Sequence, residues 1–324
     1  MAKAVFQNPA YNDENAAREA LEAIRWPAGP FCPHCGNLDQ DKIAKGQGKA
    51  HRPGLYYCAA CNGQFTVTVG TIFERSKVPL TKWLMASHMF NSGKNGVSAH
   101  EIHRTLGVTY KTAWFMMHRL REAMKESNPS PMGGKGQSVQ ADETYYGNSS
   151  KRAKGYRKGH SHKAVVLALV EPNGRARVFH ATKSKHSMGE TVFRTLIKNV
   201  DRKSELHTDE SRLYPEVGRK FAAHKTVTHG SNRGDGFYVG EDGQTTNAVE
   251  NFFGNFKRSM KGTYRFCGDQ HLQRYLNEFQ FRHNHRAKLG FTDGERTAAA
   301  LKGIEGKRLT YRPINGNSES ATVS

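Results

Sequence analysis

Four of the five cysteines form two identical pairs, and this spacing constrains the fold more than any other feature of the chain. The pairs are Cys32-Pro-His-Cys35 and Cys58-Ala-Ala-Cys61, while Cys267 stands alone. Two C-x-x-C pairs at such a separation are typical of a zinc ribbon, in which four thiolates complete a closed tetrahedral site. We therefore expect these four residues to bind one structural Zn²⁺, with a role in folding and docking.

Disulfides or a redox C-x-x-C site are the alternatives for these cysteines. Met1 is not followed by a secretion signal, and the longest apolar run, Ala164–Val170, is far shorter than the ~20 residues that cross a bilayer. We therefore expect a cytoplasmic protein without membrane contact, where structural disulfides are rare. His34, inside the first pair, is expected to be exposed and not a ligand.

The chain is strongly basic. Its 324 residues include 49 Lys and Arg against 29 Asp and Glu, a formal net charge of +20. Neutralising phosphates releases condensed counterions, so this charge favours a nucleic acid as partner. A ribosomal-type or merely solubilising surface is the alternative. A hydrophobic content of 36% is sufficient for a core, and the length suggests two domains.

A helical pattern follows the cysteine region. Pro79 predicts the start of one helix, and Ser98 with Glu101 predicts the capped start of a second helix that ends at Gly107. A longer helix begins near Thr109. This pattern is typical of a helix-turn-helix, although helical hairpins of other function share it. A helix-turn-helix would present these side chains to a DNA major groove: Tyr110, Lys111, Thr112 and Arg119.

A Pro/Gly-rich linker at 128–136 precedes a larger domain. The pattern predicts three strands, a helix, a strand, a short helix, a strand and a last helix that opens at Asn247. Asp142 follows the first predicted strand, 138–141, and Asp209 ends the fourth. This is the element order of the ribonuclease-H-like fold, whose first and fourth strands are neighbours, so we expect the two aspartates to meet.

A third carboxylate is expected from the last helix. Glu250 lies in its first turn, and Lys257 follows two turns later on the same face. Several carboxylates in one place require a cation, and hard divalent metals prefer oxygen ligands. Alternatives stay open: the glutamates that follow the two aspartates, Glu278 as a rival third acid, and a capping box between Asn247 and Glu250.

Basic residues follow the first acid. We expect residues 151–163 to form a basic hairpin along DNA phosphates, with a solvated turn as the alternative. Its expected DNA contacts are Lys151, Arg152, Lys154, Arg157 and Lys158. The last helix extends this surface through Lys257, Arg258 and Lys261. A cluster at 282–286 is also expected to be exposed and to contact DNA.

The motifs resemble those of the DDE transposases of bacterial insertion sequences, specifically the zinc-ribbon ISXO-type group. The resemblance covers about residues 15–300 and rests on C-P-H-C-G with Y-Y-C-A-A-C-N-G-Q-F, A-D-E-T-Y-Y-G, H-T-D-E-S, T-T-N-A-V-E-N-F-F-G-N-F-K-R and H-L-Q-R-Y-L-N-E-F-Q-F-R-H-N-H-R. It implies that Asp142, Asp209 and Glu250 bind two Mg²⁺ or Mn²⁺ ions and that Lys257 contacts DNA near the scissile phosphate. Phe253 departs from the family, which usually has Trp there.

The resemblance also implies a reaction and its partners. The protein would bind the terminal inverted repeats of an insertion sequence, cleave by two-metal phosphoryl transfer and join the freed 3′-hydroxyl to target DNA. Double-stranded DNA and at least one further copy of the chain would be its partners. A domesticated or inactive DNA-binding regulator and a plain metal-dependent nuclease are the alternatives.

The sequence thus predicts a mixed fold, α+β or α/β, with a ribonuclease-H-like catalytic domain after a zinc ribbon and a helix-turn-helix. The protein is expected to associate with the nucleoid when bound to DNA. The expected boundaries are an N-terminal extension 1–25, a zinc ribbon 26–75, a helix-turn-helix region 76–127, a linker 128–136, a catalytic domain 137–303 and a flexible tail 304–324.

Overall fold

The chain divides into two compact units. A computed structural model describes residues 4–48, 51–147, 163–181, 186–227 and 244–310. Unit 1 combines Met1–Lys125 with Thr292–Ser324, and unit 2 is Glu126–Phe291. No helix within the described ranges is both long and apolar enough to span a bilayer.

Unit 1 begins with helix α1, Glu14–Arg25, and a small antiparallel sheet. The strands pair in chain order: β1 Ile43–Lys45, β2 Tyr56–Cys58 and β3 Gly63–Phe65. Tyr56 and Phe65 stack with their ring centroids 5.6 Å apart, and Trp26 packs edge-on against both rings. Tyr56 also donates a hydrogen bond to Glu22 of α1 at 2.9 Å. This contact ties α1 to the sheet, whereas the sequence placed it in a separate extension.

The helices that follow are α2 Leu80–Ser92, α3 Ala99–Leu106 and α4 Tyr110–Ala123. Ser98 and Thr109 cap α3 and α4, each accepting a hydrogen bond from a backbone N–H three residues further on. Gly107 has a φ of 59°, in the left-handed region that glycine adopts without strain. Glu14 of α1 accepts from the backbone N–H of Leu80 at 2.8 Å and so caps α2. The predicted helix starts are confirmed.

Unit 2 is built on a mixed sheet with the strand order β6-β5-β4-β7-β8. The strands are β4 Ser138–Tyr146, β5 Ala164–Val170, β6 Ala176–His180, β7 Glu205–Asp209 and β8 Ala223–Val227. β5 is antiparallel to both of its neighbours, β4 and β6, while β7 and β8 run parallel to β4. The prediction that the first strand ends at Ala141 is wrong. Pairing with β5 continues to Tyr146, so Asp142 lies within β4.

Helices pack on both faces of this sheet: α5 Met188–Asn199, α6 Pro215–Gly218, α7 Asn247–Ser259 and α8 Leu272–Asn284. Ala141 of β4 belongs to the core shared with α5 and α6. Ala168 of β5, which is paired with Asp142, belongs to the other core, shared with α7 and α8. Directly paired residues lie on the same face of a sheet. Asp142 therefore faces α7.

The chain returns to unit 1 in α9, Asp293–Lys302. Arg296 of α9 donates to the carbonyl oxygen of Asn91 in α2 at 2.8 Å, and Ile304 accepts from the backbone N–H of Ile72 at 3.2 Å. The division between the units thus falls before α9, not at the expected position 303. A helical pattern does not specify which surface the helix packs on.

Candidate functional site

Carboxylates from three elements line one cavity of unit 2. The cavity has a volume of about 250 Å³, and its lining consists of Asp142 of β4, Asp209 of β7, and Thr246 and Glu250 at the start of α7. The three acids singled out from the sequence therefore line the same cavity. They come from positions far apart in the chain, so tertiary structure creates the site.

The sheet register brings the two aspartates together. β4 and β7 are parallel neighbours in which Gln140 is paired with His207. Asp142 and Asp209 each lie two residues further along, so they are level on strands about 4.8 Å apart. Asp209 Oδ1 accepts a hydrogen bond from the backbone N–H of Ser211 at 3.0 Å. That bond orients the Asp209 carboxylate where β7 ends.

A strand side chain anchors the helix that carries Glu250. Gln140 of β4 is fully buried, and its Oε1 accepts hydrogen bonds from the backbone N–H groups of Ala248 at 2.8 Å and Val249 at 3.1 Å. These N–H groups belong to the first turn of α7, where a helix has no acceptors of its own. Gln140 therefore fixes the start of α7 against the strand that carries Asp142.

The alternative interpretation of Asn247 and Glu250 as a capping box is wrong. Thr246, not Asn247, is the residue that precedes α7, and its side chain does not cap the helix. The Thr246 hydroxyl instead donates to the Glu250 carboxylate, with 2.6 Å between the oxygens. This hydrogen bond holds the Glu250 carboxylate where it lines the cavity.

The cavity is electrostatically unfavourable for its own carboxylates. Burial, together with the negative charges of Glu143, Asp209 and Glu250, raises the pKa of Asp142 from 3.8 to about 7. A cation between these oxygens would remove the repulsion and favour the ionised forms. Because the lining offers carboxylate and hydroxyl oxygens, it fits a hard divalent cation such as Mg²⁺ or Mn²⁺.

The two glutamates next to the aspartates lie elsewhere. Glu143 accepts hydrogen bonds from the hydroxyls of Tyr214 and, at 3.4 Å, Ser211. Burial raises the pKa of Glu143. Glu210 is exposed. Neither glutamate lines the cavity, so the alternation of side chains along β4 selects Asp142 over its neighbour.

The rival third acid, Glu278, is part of the core of unit 2. It is fully buried on α8, accepts from Arg282 Nε at 3.0 Å and also accepts from the hydroxyl of Tyr264. It does not line the cavity. The hydrogen bond from Tyr264 anchors α8 to the segment after α7, and the ion pair with Arg282 neutralises the buried carboxylate within α8, so Glu278 has a structural role.

The expected DNA-binding cluster at 282–286 is wrong. Arg282 is buried in the ion pair with Glu278, and burial lowers the pKa of His283 to about 4. Asn284 accepts from the backbone N–H of Ala176 at 2.7 Å, and Arg286 donates to the carbonyl oxygen of Gly174 at 2.9 Å. These side chains hold α8 to β6 and the turn before it.

The basic residues of α7 and of the π-helical turn that follows it, Met260–Tyr264, are exposed. Lys257, two turns after Glu250, is exposed, as are Arg258 and Lys261. The expected contacts of the basic hairpin lie outside the described residues: Lys151, Arg152, Lys154, Arg157 and Lys158.

The residues expected to read DNA differ in their accessibility. Tyr110 and Lys111, at the start of α4, are exposed, and Thr112 is partly exposed. Arg119 is buried, and its guanidinium donates to two backbone carbonyls, at 3.2 and 3.3 Å. The prediction that Arg119 is presented to a major groove is therefore wrong. A helical pattern shows which residues share a face but not that a distant segment covers it.

The four paired cysteines meet in unit 1. Their Sγ atoms all lie within 4.8 Å of one another, and all four are free thiols. Cys32 and Cys61 have their sulfurs 3.6 Å apart, and Cys35 and Cys58 3.8 Å apart, far beyond the ~2.05 Å of a disulfide. The disulfide alternative is therefore wrong, and the arrangement suits a tetrahedral Zn²⁺.

The thiols of this cluster do not ionise equally. Burial raises the pKa of Cys32, but backbone N–H groups of Cys35 and His34 outweigh it and bring this pKa down to about 7. A hydrogen bond to Cys35 raises the pKa of the Cys61 thiol to about 12. Four thiolates can coexist here only with a cation. His34 is exposed and lies 3.1 Å from the carbonyl oxygen of Gln64, as expected of a non-ligand.

Sequence reasoning missed Gln140, which accepts from the first turn of α7, Thr246, which donates to Glu250, and Tyr214, which donates to Glu143 outside the cavity. A signal existed for Gln140, because a long polar side chain between Val139 and Ala141 of a buried strand needs a partner. No local pattern identified Thr246 or Tyr214.

Comparison with protein families identifies both parts of the chain. Residues 12–64 match a transposase zinc-ribbon domain, and residues 134–284 match an ISXO2-like transposase domain. The chain belongs to the ISXO2-like DDE transposase family. This family membership makes the protein a DNA transposase of an insertion sequence, with a mixed α/β structure and an N-terminal zinc ribbon.

A relative has similar length. A protein described as an uncharacterized protein in transposable element ISH50, from Halobacterium salinarum, is 27% identical to this transposase over 286 residues, 83% of this chain and 90% of the relative.

Similarity to solved structures is weak. A simian T-cell lymphotropic virus intasome complex matches with 13% identity and a TM-score of 0.25, over 55% of this chain and 63% of that chain. The Mos1 strand transfer complex matches with 11% identity and a TM-score of 0.27, over 64% and 70%. TM-scores this low support no conclusion about fold or function.

Proposed function

We propose that Asp142, Asp209 and Glu250 are the catalytic triad of this transposase and hold two Mg²⁺ or Mn²⁺ ions. The observation that carries the proposal is the cavity that these carboxylates line together. Bound there, the ions would promote attack on a DNA phosphate and stabilise the leaving oxygen.

The chain's own residues orient the acids. The backbone N–H of Ser211 holds Asp209, and the hydroxyl of Thr246 holds Glu250. Water and then a DNA 3′-hydroxyl would be the nucleophiles, so no Ser or Tyr nucleophile is required. In this scheme the protein binds and aligns the DNA, and the triad holds the ions.

Unit 2 is proposed to have a ribonuclease-H-like fold. Support comes from its strand order, in which three antiparallel strands are followed by two strands parallel to the first. Helices on both faces of the sheet add to this support. The catalytic residues then lie on the central strand, its parallel neighbour and the last long helix before α8.

Recognition of the element ends is assigned to unit 1. α3, the turn at Gly107 and α4 support a helix-turn-helix, with Tyr110, Lys111 and Thr112 offered to DNA at the start of α4. The cysteine cluster is proposed to hold one structural Zn²⁺.

Unit 2 is proposed to contact DNA beside the cavity. Lys257 and Arg258 are exposed on the same helix as Glu250, and Lys261 is exposed in the π-helical turn Met260–Tyr264 that follows it. The hairpin contacts proposed from the sequence are Lys151, Arg152, Lys154, Arg157 and Lys158. Joining two element ends to a target requires at least two copies of the chain during the reaction.

The triad is tested with the full chain, Mg²⁺ and a duplex that carries an end of its own element. We expect cleavage and strand joining by the wild type. Asp142→Asn and Glu250→Gln should each reduce cleavage by about a thousandfold or more while leaving end binding unchanged. Glu210→Gln, which removes an exposed acid beside Asp209, is the matched control and should remain active.

The outcomes are distinct. Undiminished cleavage by either triad variant would refute the assignment. Cleavage by the wild type without any joined product would identify a nuclease. End binding without cleavage under all conditions would identify a DNA-binding regulator.

A further inference from the structure

The first turn of α7 is held by a residue of another element. The residue preceding this helix, Thr246, makes no side-chain cap, so the N–H groups of Ala248 and Val249 need acceptors from elsewhere. Both donate to Gln140 Oε1, at 2.8 and 3.1 Å. Gln140 lies 108 and 109 positions earlier in the chain, so this bond is a tertiary connection, not a local cap.

The position of Gln140 relative to the acids is what matters. Side chains two residues apart on a strand lie on the same face, so Gln140 and Asp142 both face α7. Glu250 directly follows the two residues whose N–H groups Gln140 binds. A single buried side chain thus connects the strand of the first acid to the helical turn of the third.

The side-chain amide of Gln140 serves this contact at a cost. Only its oxygen can accept from N–H groups, so Oε1 must face α7. Nε2 is then buried without a partner among the described residues, which is unfavourable. An apolar residue would avoid that cost but would leave the N–H groups of Ala248 and Val249 without this acceptor. The side chain at position 140 therefore serves as a hydrogen-bond acceptor for the first turn of α7.

We infer that Gln140 is a positioning residue of the active site: by binding the first turn of α7 it sets the distance between Asp142 and Glu250. The inference rests on the proposed function, in which these two acids share bound divalent cations. Gln140 does not line the cavity, and it acts through the α7 backbone. Residues that orient ligands from outside the ligand shell commonly change metal affinity by about 10–100-fold.

The test uses Gln140→Leu in the full, zinc-loaded chain. Leucine has a similar volume and no acceptor. The control is Gln280→Leu, because Gln280 of α8 also has a buried side chain whose Oε1 accepts a backbone N–H, that of Val178 at 3.0 Å, in the same unit but outside the cavity. Both variants lose one buried acceptor, so general destabilisation should affect them alike.

The first measurement is direct binding of Mn²⁺ by electron paramagnetic resonance without DNA. We expect the Kd for Mn²⁺ to rise about tenfold or more in Gln140→Leu and less than about twofold in Gln280→Leu. The second measurement is hydrogen exchange of the peptide that contains Ala248 and Val249, which should speed up only in Gln140→Leu. Gln140→Asn, one methylene shorter, replaces Gln140→Leu if the latter does not fold.

Failure of the inference and failure of the proposed function look different. If the wild type binds Mn²⁺, Asp142→Asn does not, and Gln140→Leu binds as tightly as Gln280→Leu, then the positioning role is wrong and the triad stands. If Asp142→Asn binds Mn²⁺ as the wild type does, the metal site itself is wrong, and the inference fails with it.

Discussion

The cysteine cluster of unit 1 and the carboxylate cavity of unit 2 are built in opposite ways. The cysteines come from two short motifs beside a sheet of three-residue strands, which has little core of its own. The carboxylates come from β4, β7 and α7, around a sheet whose two faces are already covered. We expect the first arrangement to depend on a bound ion in order to fold. The second is built on a sheet with its own cores, and it brings together negative charges whose repulsion a cation would reduce.

The largest expected effect is loss of the ribbon upon Cys58→Ser. Structural zinc contributes about 10–16 kcal/mol of apparent binding free energy, and that energy is also folding energy. We expect zinc content to fall from one ion per chain to none and the thermal transition of unit 1 to disappear in calorimetry. Cys267→Ser, outside the cluster, should change neither. A Cys58→Ser protein that keeps its zinc would contradict the assignment.

Two glutamates of unit 2 allow a comparison between an acid that stabilises the fold, Glu278, and an acid proposed to bind a metal ion, Glu250. Glu278→Gln breaks a buried ion pair and leaves Arg282 without its counter-ion, so the free energy of unfolding should fall by about 3–5 kcal/mol. Glu250→Gln removes one of several repelling charges and should lower that energy by no more than about 0.5 kcal/mol. Urea unfolding measures both. Equal losses in the two variants would show that Glu250 is structural.

Divalent cations should stabilise unit 2 by mass action. A ligand that binds only the folded state adds about 2.7 kcal/mol to the free energy of unfolding when its concentration is a hundred times its Kd. We expect Mg²⁺ or Mn²⁺ to raise the melting temperature of the zinc-loaded wild type by several degrees and to leave that of Asp142→Asn unchanged. The same rise in both proteins would place the bound ion outside the cavity.

The smallest effect is expected at the surface of α4. Lys111→Ala should weaken end binding a few-fold because it removes one phosphate contact. It should also reduce the slope of log K against log salt concentration by about one, since one fewer counterion is released. Lys302→Ala removes the same charge from the exposed surface of α9 and is the control. Filter binding at several salt concentrations measures both. Equal effects would indicate only long-range attraction between the basic chain and DNA.

The sequence predicts the cysteine cluster more completely than the carboxylate cavity. The cysteine cluster was predictable because its ligands lie in two short motifs with fixed spacing. The meeting of Asp142 and Asp209 was predictable from element order, since the first and fourth strands of such a sheet are neighbours. The hold of Gln140 on α7 was not, because more than a hundred residues separate the partners and no period connects them. Arg119 was misjudged because its covering segment comes from the far end of the chain.

The return of the chain to unit 1 affects the order in which the protein matures. α9 packs on α2 only after all of unit 2 has been synthesised, since unit 2 interrupts unit 1 in the sequence. A product that terminates near Lys125 lacks α9 and the Ile304 contact to Ile72, and its α2 surface stays uncovered. Prematurely terminated products therefore cannot complete unit 1. Because binding of the element ends is proposed for unit 1, we expect such fragments to compete poorly with the full chain for those ends.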